Sequence, residues 1–322
     1  MNDLQAFWRG IPAFFDSYHP FFTHLCVTER CNLRCRYSQV WKHPHAELST
    51  DEFKLVIRRI YEMGVLILSF TGGEPLMRDD IFELIDFAVK IGFVTGITTN
   101  GTMSLDKYKA LLKTNIDRIS VSLDGISGCD LPHSKCGQKI LETIEYLNNA
   151  RQRNLLTIST LIDETNQARV GEIIGYCIER KLLIWLQPVV RGKGSLRCPG
   201  NKVKLSVPHT QNVLNPGYFN LAADKYYENG GFNWDCHSGQ LFFDIKPNGD
   251  FWICQDYPTS LNILAPNFLD EWKRYDFHSA RSQCDGGCIY SCYYCSQEGL
   301  KIKNIFQEID FLHQIKPIFH PS

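Results

Sequence analysis

Six apolar runs of strand length alternate with stretches of helical spacing between about residues 21 and 195. The runs are Phe22–Glu29, Val65–Phe70, Phe93–Gly101, Arg118–Gly125, Leu156–Ile162 and Leu183–Val190. Between the first two, Ser49-Thr50-Asp51-Glu52 forms a capping box, and Phe53, Val56, Ile57, Ile60 and Tyr61 recur on one helical face up to Gly64. Further helices are expected over about Asp80–Ile91, Leu105–Lys113, Gln138–Asn154 and Val170–Arg180; the sixth run has no obvious closing helix. Strands that alternate with helices specify a parallel sheet, because parallel neighbours need a long crossover and the helix supplies it. In such folds the loops at the C-terminal strand ends gather the chemistry.

The loop after the first strand reads Cys31-Asn32-Leu33-Arg34-Cys35-Arg36-Tyr37-Ser38. Three thiolates at C-x3-C-x2-C spacing would hold three corners of a [4Fe–4S] cluster, for which cysteines are the usual ligands. Here Ser38 stands at the third position, and an oxygen donor suits such a cluster much less well than a thiolate. A loop with two free cysteines is the alternative. The second strand runs into Thr71-Gly72-Gly73-Glu74-Pro75, where glycines let the backbone approach a ligand and Glu74 can accept hydrogen bonds from an ammonium group. Thr98, Thr99 and Asn100 end the third strand, and Ser120, Ser122 and Asp124 the fourth. The Asp124-Gly125 pair is equally a turn signal.

The cysteine loop, the Gly-Gly-Glu turn and the strand alternation together resemble the radical S-adenosylmethionine (SAM) superfamily. The resemblance covers about Phe21 to Gln297 and implies a partial (β/α)6 barrel. It also implies a [4Fe–4S] cluster on Cys31, Cys35 and Ser38 whose open iron takes the amino and carboxylate groups of SAM. Tyr37 would lie near the adenine, Gly72, Gly73 and Glu74 at the methionine amino group, and Ser122 and Asp124 among the SAM contacts. The loop from Ile126 to His133 lacks the His-Asp…Arg-Gly pattern of many members.

A second cysteine group follows a Gly-, Asn- and Pro-rich stretch. Cys236 and Cys254 bracket a hairpin of Leu241–Ile245 and Asp250–Ile253 turned at Asn248-Gly249, and Cys284, Cys288, Cys292 and Cys295 come after it. Cys236…Gly249…Cys254 resembles the opening of the SPASM/twitch domains appended to radical SAM barrels, although the later spacing C-x3-C-x3-C-x2-C departs from theirs. The resemblance implies one auxiliary [4Fe–4S] cluster, with Cys236, Cys254, Cys292 and Cys295 as the leading four and Cys284 and Cys288 as substitutes or ligands of a second. Structural zinc is the alternative reading of the same thiols. Cys26, Cys129, Cys136, Cys177 and Cys198 read as incidental thiols.

The expected fold is therefore α/β, a partial (β/α)6 barrel with a small C-terminal cysteine-rich domain containing a β-hairpin. Its parts are an aromatic N-terminal segment (1–20), the barrel (21–200), a linker (201–230), the SPASM/twitch-like Fe–S domain (231–300) and a tail (301–322). A formal net charge of −1 over 322 residues gives no electrostatic case for nucleic acid. No apolar run approaches the roughly 20 residues of a transmembrane helix. Thirteen cysteines without an export signal point to metal or cluster binding in a cytoplasmic protein. The expected activity is reductive cleavage of SAM for hydrogen abstraction from a small-molecule or peptide substrate, with an electron donor such as flavodoxin or ferredoxin. The rival is a catalytically impaired member kept as a binding or partner subunit. Ser38, natural or introduced, motivates it.

Overall fold

A computed structural model of the chain describes residues 12, 19–35, 37–38, 40–42, 45–126, 135–151, 154–189, 207–208, 210–215 and 235–282. Most of the N-terminal segment, Cys129, Cys198, the four cysteines from Cys284 to Cys295 and the 301–322 tail lie outside these residues.

The six expected strands form: β1 (Phe22–Thr28), β2 (Ile67–Gly72), β3 (Val94–Thr99), β4 (Arg118–Ser122), β5 (Leu155–Ile162) and β6 (Leu183–Pro188). Between them run α1 (Thr50–Glu62), α2 (Ile81–Ile91), α3 (Leu105–Lys113), α4 (Gln138–Ala150) and α5 (Val170–Glu179). The capping box is present in full: Ser49 accepts from the Glu52 N–H, and the Glu52 carboxylate reaches back to the Ser49 N–H at 2.8 Å. Helix α4 stops at Ala150, four residues short of Asn154, because Arg151 turns to extended backbone (ψ 140°) to feed β5.

All neighbours from β1 to β6 pair in parallel, and their register sorts every side chain to one of two faces. On the outer face Leu25, Phe70, Ile97, Ile119 and Leu156 fall in register or in step along adjacent strands. They share one buried cluster with the apolar stripes of the helices, including Phe53, Ile57 and Ile60 of α1 and Leu84 and Ile85 of α2. The inner face carries a polar row: His24, Ser69, Gly96 and Arg118 lie side by side on β1 to β4. Fully apolar burial on one face and polar residues on the other is what a barrel with a working interior requires.

The hairpin also forms, as β7 (Phe242–Ile245) and β8 (Asp250–Cys254), with Gly249 at φ +84° in its turn. A third strand, β9 (Tyr257–Asn262), extends it, followed by α6 (Phe268–Arg274) and α7 (Phe277–Ser282). These strands join the barrel sheet directly. β7 pairs in parallel with β1, giving one nine-stranded sheet in the order β6-β5-β4-β3-β2-β1-β7-β8-β9. At the far edge, residues 212–215 cover β6: Ile184 N–H donates to Asn212 O at 2.8 Å and the Asn215 amide bonds Leu186 on both sides of its peptide. An isolated bridge between Gly125 and Cys136 closes the neck of the loop after β4. Cys136 is disulfide-bonded there, not the free thiol that the sequence suggests.

Candidate SAM and cluster site

The Gly-Gly-Glu turn clamps the entrance to the cysteine loop. Gly73 N–H donates to Thr28 O and Glu74 N–H to Arg30 O, both at 2.8 Å. The two backbones touch so closely that a Cβ on Gly72 would stand 2.0 Å from Thr28 O, and one on Gly73 2.3 Å from Arg30 O. Glycine is therefore demanded by contact with the loop.

Glu74 is wholly buried and caps the short 3-10 turn Pro75–Met77. Its carboxylate accepts from Leu76 N–H (3.2 Å), the Thr99 hydroxyl (2.8 Å) and Asn100 N–H (2.7 Å). The Thr99 hydroxyl lies in turn 3.3 Å from that of Tyr108 on α3. The carboxylate thus ties the end of β2 to the end of β3. Burial raises its pKa against the pull of those three donors.

The loop itself is held from three sides. Asn100 donates to Asn32 Oδ1 at 2.8 Å and its amide nitrogen stands 3.9 Å from Cys31 Sγ, which also accepts from Leu33 N–H at 3.4 Å. Tyr37 donates its hydroxyl to Asp124. Ser38 N–H donates to Cys35 O, and the Trp41 indole donates to Ser38 O, each at 3.1 Å. Cys35 is buried, which pushes its thiol pKa up; the Lys135 charge opposes this.

Asp124 anchors the other side. It accepts from Tyr37 and from Leu161 N–H at 3.0 Å, and burial raises its pKa despite the Lys135 charge. The Lys135 ammonium donates to Ser122 Oγ at 3.1 Å and lies 5.8 Å from the centre of the Tyr37 ring. Tyr37, Ser122 and Asp124, singled out from the sequence, are thus brought together, and Lys135 joins them. Lys135 was not legible, because it stands in a loop with no motif around it.

Beneath the loop lies a charged strap. Glu47 accepts from Arg30 at 2.8 and 3.0 Å and from Arg78 at 3.3 Å, while Arg78 grips Asp80 at 2.8 and 2.6 Å. Burial works to raise the Glu47 and Asp80 pKa values, but the arginines outweigh it and hold both below their usual range. Arg78 is buried over the Phe53 ring and also donates to Val27 O. Glu29, buried just before the loop, accepts from His45 N–H at 2.7 Å.

The donor set suits an iron–sulfur cluster at two positions of three, thiol at Cys31 and Cys35 and hydroxyl at Ser38. Among the described residues no three His, Cys, Asp or Glu side chains converge as a metal site. Of the second cysteine group, Cys254 ends β8 and Cys236 precedes β7, at the open end of the same hairpin; burial raises the Cys254 thiol pKa well above its usual value. Cys284, Cys288, Cys292 and Cys295 lie outside the described residues.

The sequence model of the radical SAM superfamily matches residues 25–177. The chain is 37% identical to the AdoMet-dependent heme synthase of Oleidesulfovibrio alaskensis over 168 residues, 49% of this chain and 42% of that one. It is 27% identical to a GTP 3′,8-cyclase of Clostridium perfringens over 210 residues, 61% of this chain and 64% of the relative. It thus spans less than two thirds of either relative's length. Streptococcus suis SuiB, crystallised with S-adenosylmethionine, superposes with a TM-score of 0.61 over 88% of this chain and 72% of SuiB, at 17% identity. The same protein bound to its precursor peptide SuiA gives 0.59, covering 84% and 69% at 15% identity. At that identity the likeness is one of fold.

Proposed function

We propose that this chain, whose residues 25–177 match the sequence model of the radical SAM superfamily, is a SAM-cleaving enzyme. Cys31, Cys35 and Ser38 would hold a [4Fe–4S] cluster, and SAM would lie over the ends of β1 to β4. When bound, such a cluster supplies the electron that splits SAM into methionine and a 5′-deoxyadenosyl radical for hydrogen abstraction from the substrate.

The observation that supports this reading is the convergence of three separate elements: the cysteine loop, the Gly72-Gly73 turn locked onto it, and the Tyr37–Asp124–Lys135–Ser122 group. In this reading Gly72 and Gly73 offer backbone to the methionine amino group, with Glu74 fixing their position from the outer face. Tyr37, Ser122 and Asp124 shape the nucleoside side, and Lys135 supplies positive charge there. The strap of buried Arg78 with the partly exposed Asp80 and Glu47 keeps the loop from moving as charge changes at its tip. The substrate is a small molecule or a peptide, and a flavodoxin or ferredoxin provides the electron. Cys236 and Cys254, with partners from Cys284, Cys288, Cys292 and Cys295, would hold an auxiliary [4Fe–4S] cluster, or zinc.

Ser38 favours a second reading, a member of the same fold that binds SAM or a partner without cleaving SAM. One experiment separates the two. The chain as given and Ser38→Cys are reconstituted anaerobically, iron and sulfide are counted, and 5′-deoxyadenosine is assayed with SAM and a reductant. The enzyme reading expects Ser38→Cys to gain up to about four irons and to form 5′-deoxyadenosine. A Ser38→Cys chain that takes iron only through its C-terminal cysteines and leaves SAM intact overturns it. Zinc without iron in a Cys31→Ala/Cys35→Ala chain removes the auxiliary cluster.

A further inference from the structure

Deeper in the barrel than the proposed SAM site, the inner face of the sheet carries a built polar floor that nothing above uses. Ser69 lies three residues before Gly72 on β2, which places this row about 10 Å below the Gly-Gly turn. Across the strands the row reads Asp244, His24, Ser69, Gly96 and Arg118, each in register with the next. Its neighbours along each strand, Leu25, Phe70, Ile97 and Ile119, belong to the outer apolar core, so the row faces inward.

Two features set this floor apart. The first is a linked acid–base pair: His24 Nδ1 stands 3.0 Å from Asp244 Oδ1, with the imidazole partly open and the carboxylate buried. The second is Gly96. Glycine inside a strand weakens it and is usually kept for a bulge, a positive φ or a close backbone approach. None applies here. Gly96 is not among the positive-φ glycines, and a Cβ built on it would meet nothing closer than Arg118 Nε at 3.7 Å, with Ser69 Oγ and Arg118 O at 3.8 Å. Alanine would fit; anything with a γ-carbon would strike the guanidinium. The glycine therefore leaves room for the Arg118 side chain to lean over β3 on the side of Ser69, its Nε and the Ser69 Oγ both within 3.8 Å of the same point.

We propose that this floor is the subsite for an oxyanion group, carboxylate or phosphate, carried by the substrate. Arg118 pairs with the oxyanion through its planar fork and Ser69 donates a hydrogen bond to it, while the His24 ring, oriented by Asp244, lies beside them in the same row. The assignment rests on the SAM-cleaving reading only in calling the ligand a substrate; the anion site stands on its own geometry.

The test needs neither cluster nor SAM, so its failure and the failure of SAM cleavage are distinguishable. The full chain, labelled with 15N-histidine, is titrated at constant pH and ionic strength with inorganic phosphate in one arm and acetate in the other. The His24 ring signals are assigned among the ten histidines with a His24→Gln chain. The expected result is a saturable shift of His24 with one of the two anions, which names the group. That shift should be retained in Gly96→Ala, while its half-saturation rises at least tenfold in both Arg118→Met and Gly96→Val. Absence of a saturable shift in either arm overturns the proposal. So does an unchanged titration in Arg118→Met or in Gly96→Val, each first shown folded by circular dichroism.

Discussion

The Glu74 carboxylate accepts a hydrogen bond from the backbone N–H of Asn100 at 2.7 Å, joining the chain just beyond the ends of two adjacent strands at a buried position. Three donors converge on this one side chain. Glu74→Gln places an amide NH2 among them, leaving at least one donor unsatisfied. Such a loss costs about 1–3 kcal/mol, to be read as a lower denaturant midpoint with an unchanged slope.

Gly73→Ala puts a methyl where only 2.3 Å separates it from Arg30 O. The loop must move off the turn, at a cost of about 1–3 kcal/mol. The expected outcome is faster proteolysis within residues 30–42 while the helices stay protected, seen by mass spectrometry of limited digests.

Two arginines of the strap should behave differently. Arg30 is half exposed, so Arg30→Met is expected to cost less than about 1 kcal/mol. Arg78 is buried against Asp80, and Arg78→Met strands a charge, at about 3–5 kcal/mol. Thermal unfolding of the two variants side by side checks the order.

Acid and alkali should act on different carboxylates. Glu47 and Asp80 are held low, so their contribution is full above their unfolded values near 4 and is lost as pH falls through the folded ones. Asp124 is held high by burial, so the sign reverses: its contribution is full below the unfolded value and is lost as pH rises through the folded one. Compared with Asp124→Asn, the native chain should therefore lose relative stability as pH rises above about 4. Urea titrations of both across pH 4–8 measure the difference; a constant gap would contradict the raised value.

Tyr37 and Asp124 should be energetically coupled. A double-mutant cycle of Tyr37→Phe and Asp124→Asn is expected to give about 0.5–3 kcal/mol, the range spanned by hydrogen bonds to neutral and charged groups. Independent effects would mean that the bond does not form in solution.

Local pattern carried most of the fold. The capping box at Ser49, the apolar stripes of α1 to α5 and the Asn248-Gly249 turn are contained in a few consecutive residues, and each appears where periodicity puts it. What stayed hidden depends on pairing across long separations. No local feature of Phe242–Ile245 says that it lies beside β1, nor does any in Asn212 or Asn215 say that they cover β6. The site divides the same way. Cys31, Tyr37, Gly72, Gly73 and Asp124 stand in motifs, whereas Lys135, Glu47 and Arg78 reach it only through folding.

The pairing of β7 with β1 sets an order of events during synthesis. Thr23 donates to Phe243 O across 220 residues, so the strand that launches the cysteine loop waits for one of its two neighbours until most of the chain has been made. Until then β1 presents an unpaired edge, the kind of surface on which nascent chains stick to one another. Slowing translation downstream of β6, or supplying a chaperone that covers open strands, therefore bears directly on how much of this protein reaches a fold with β1 paired on both sides.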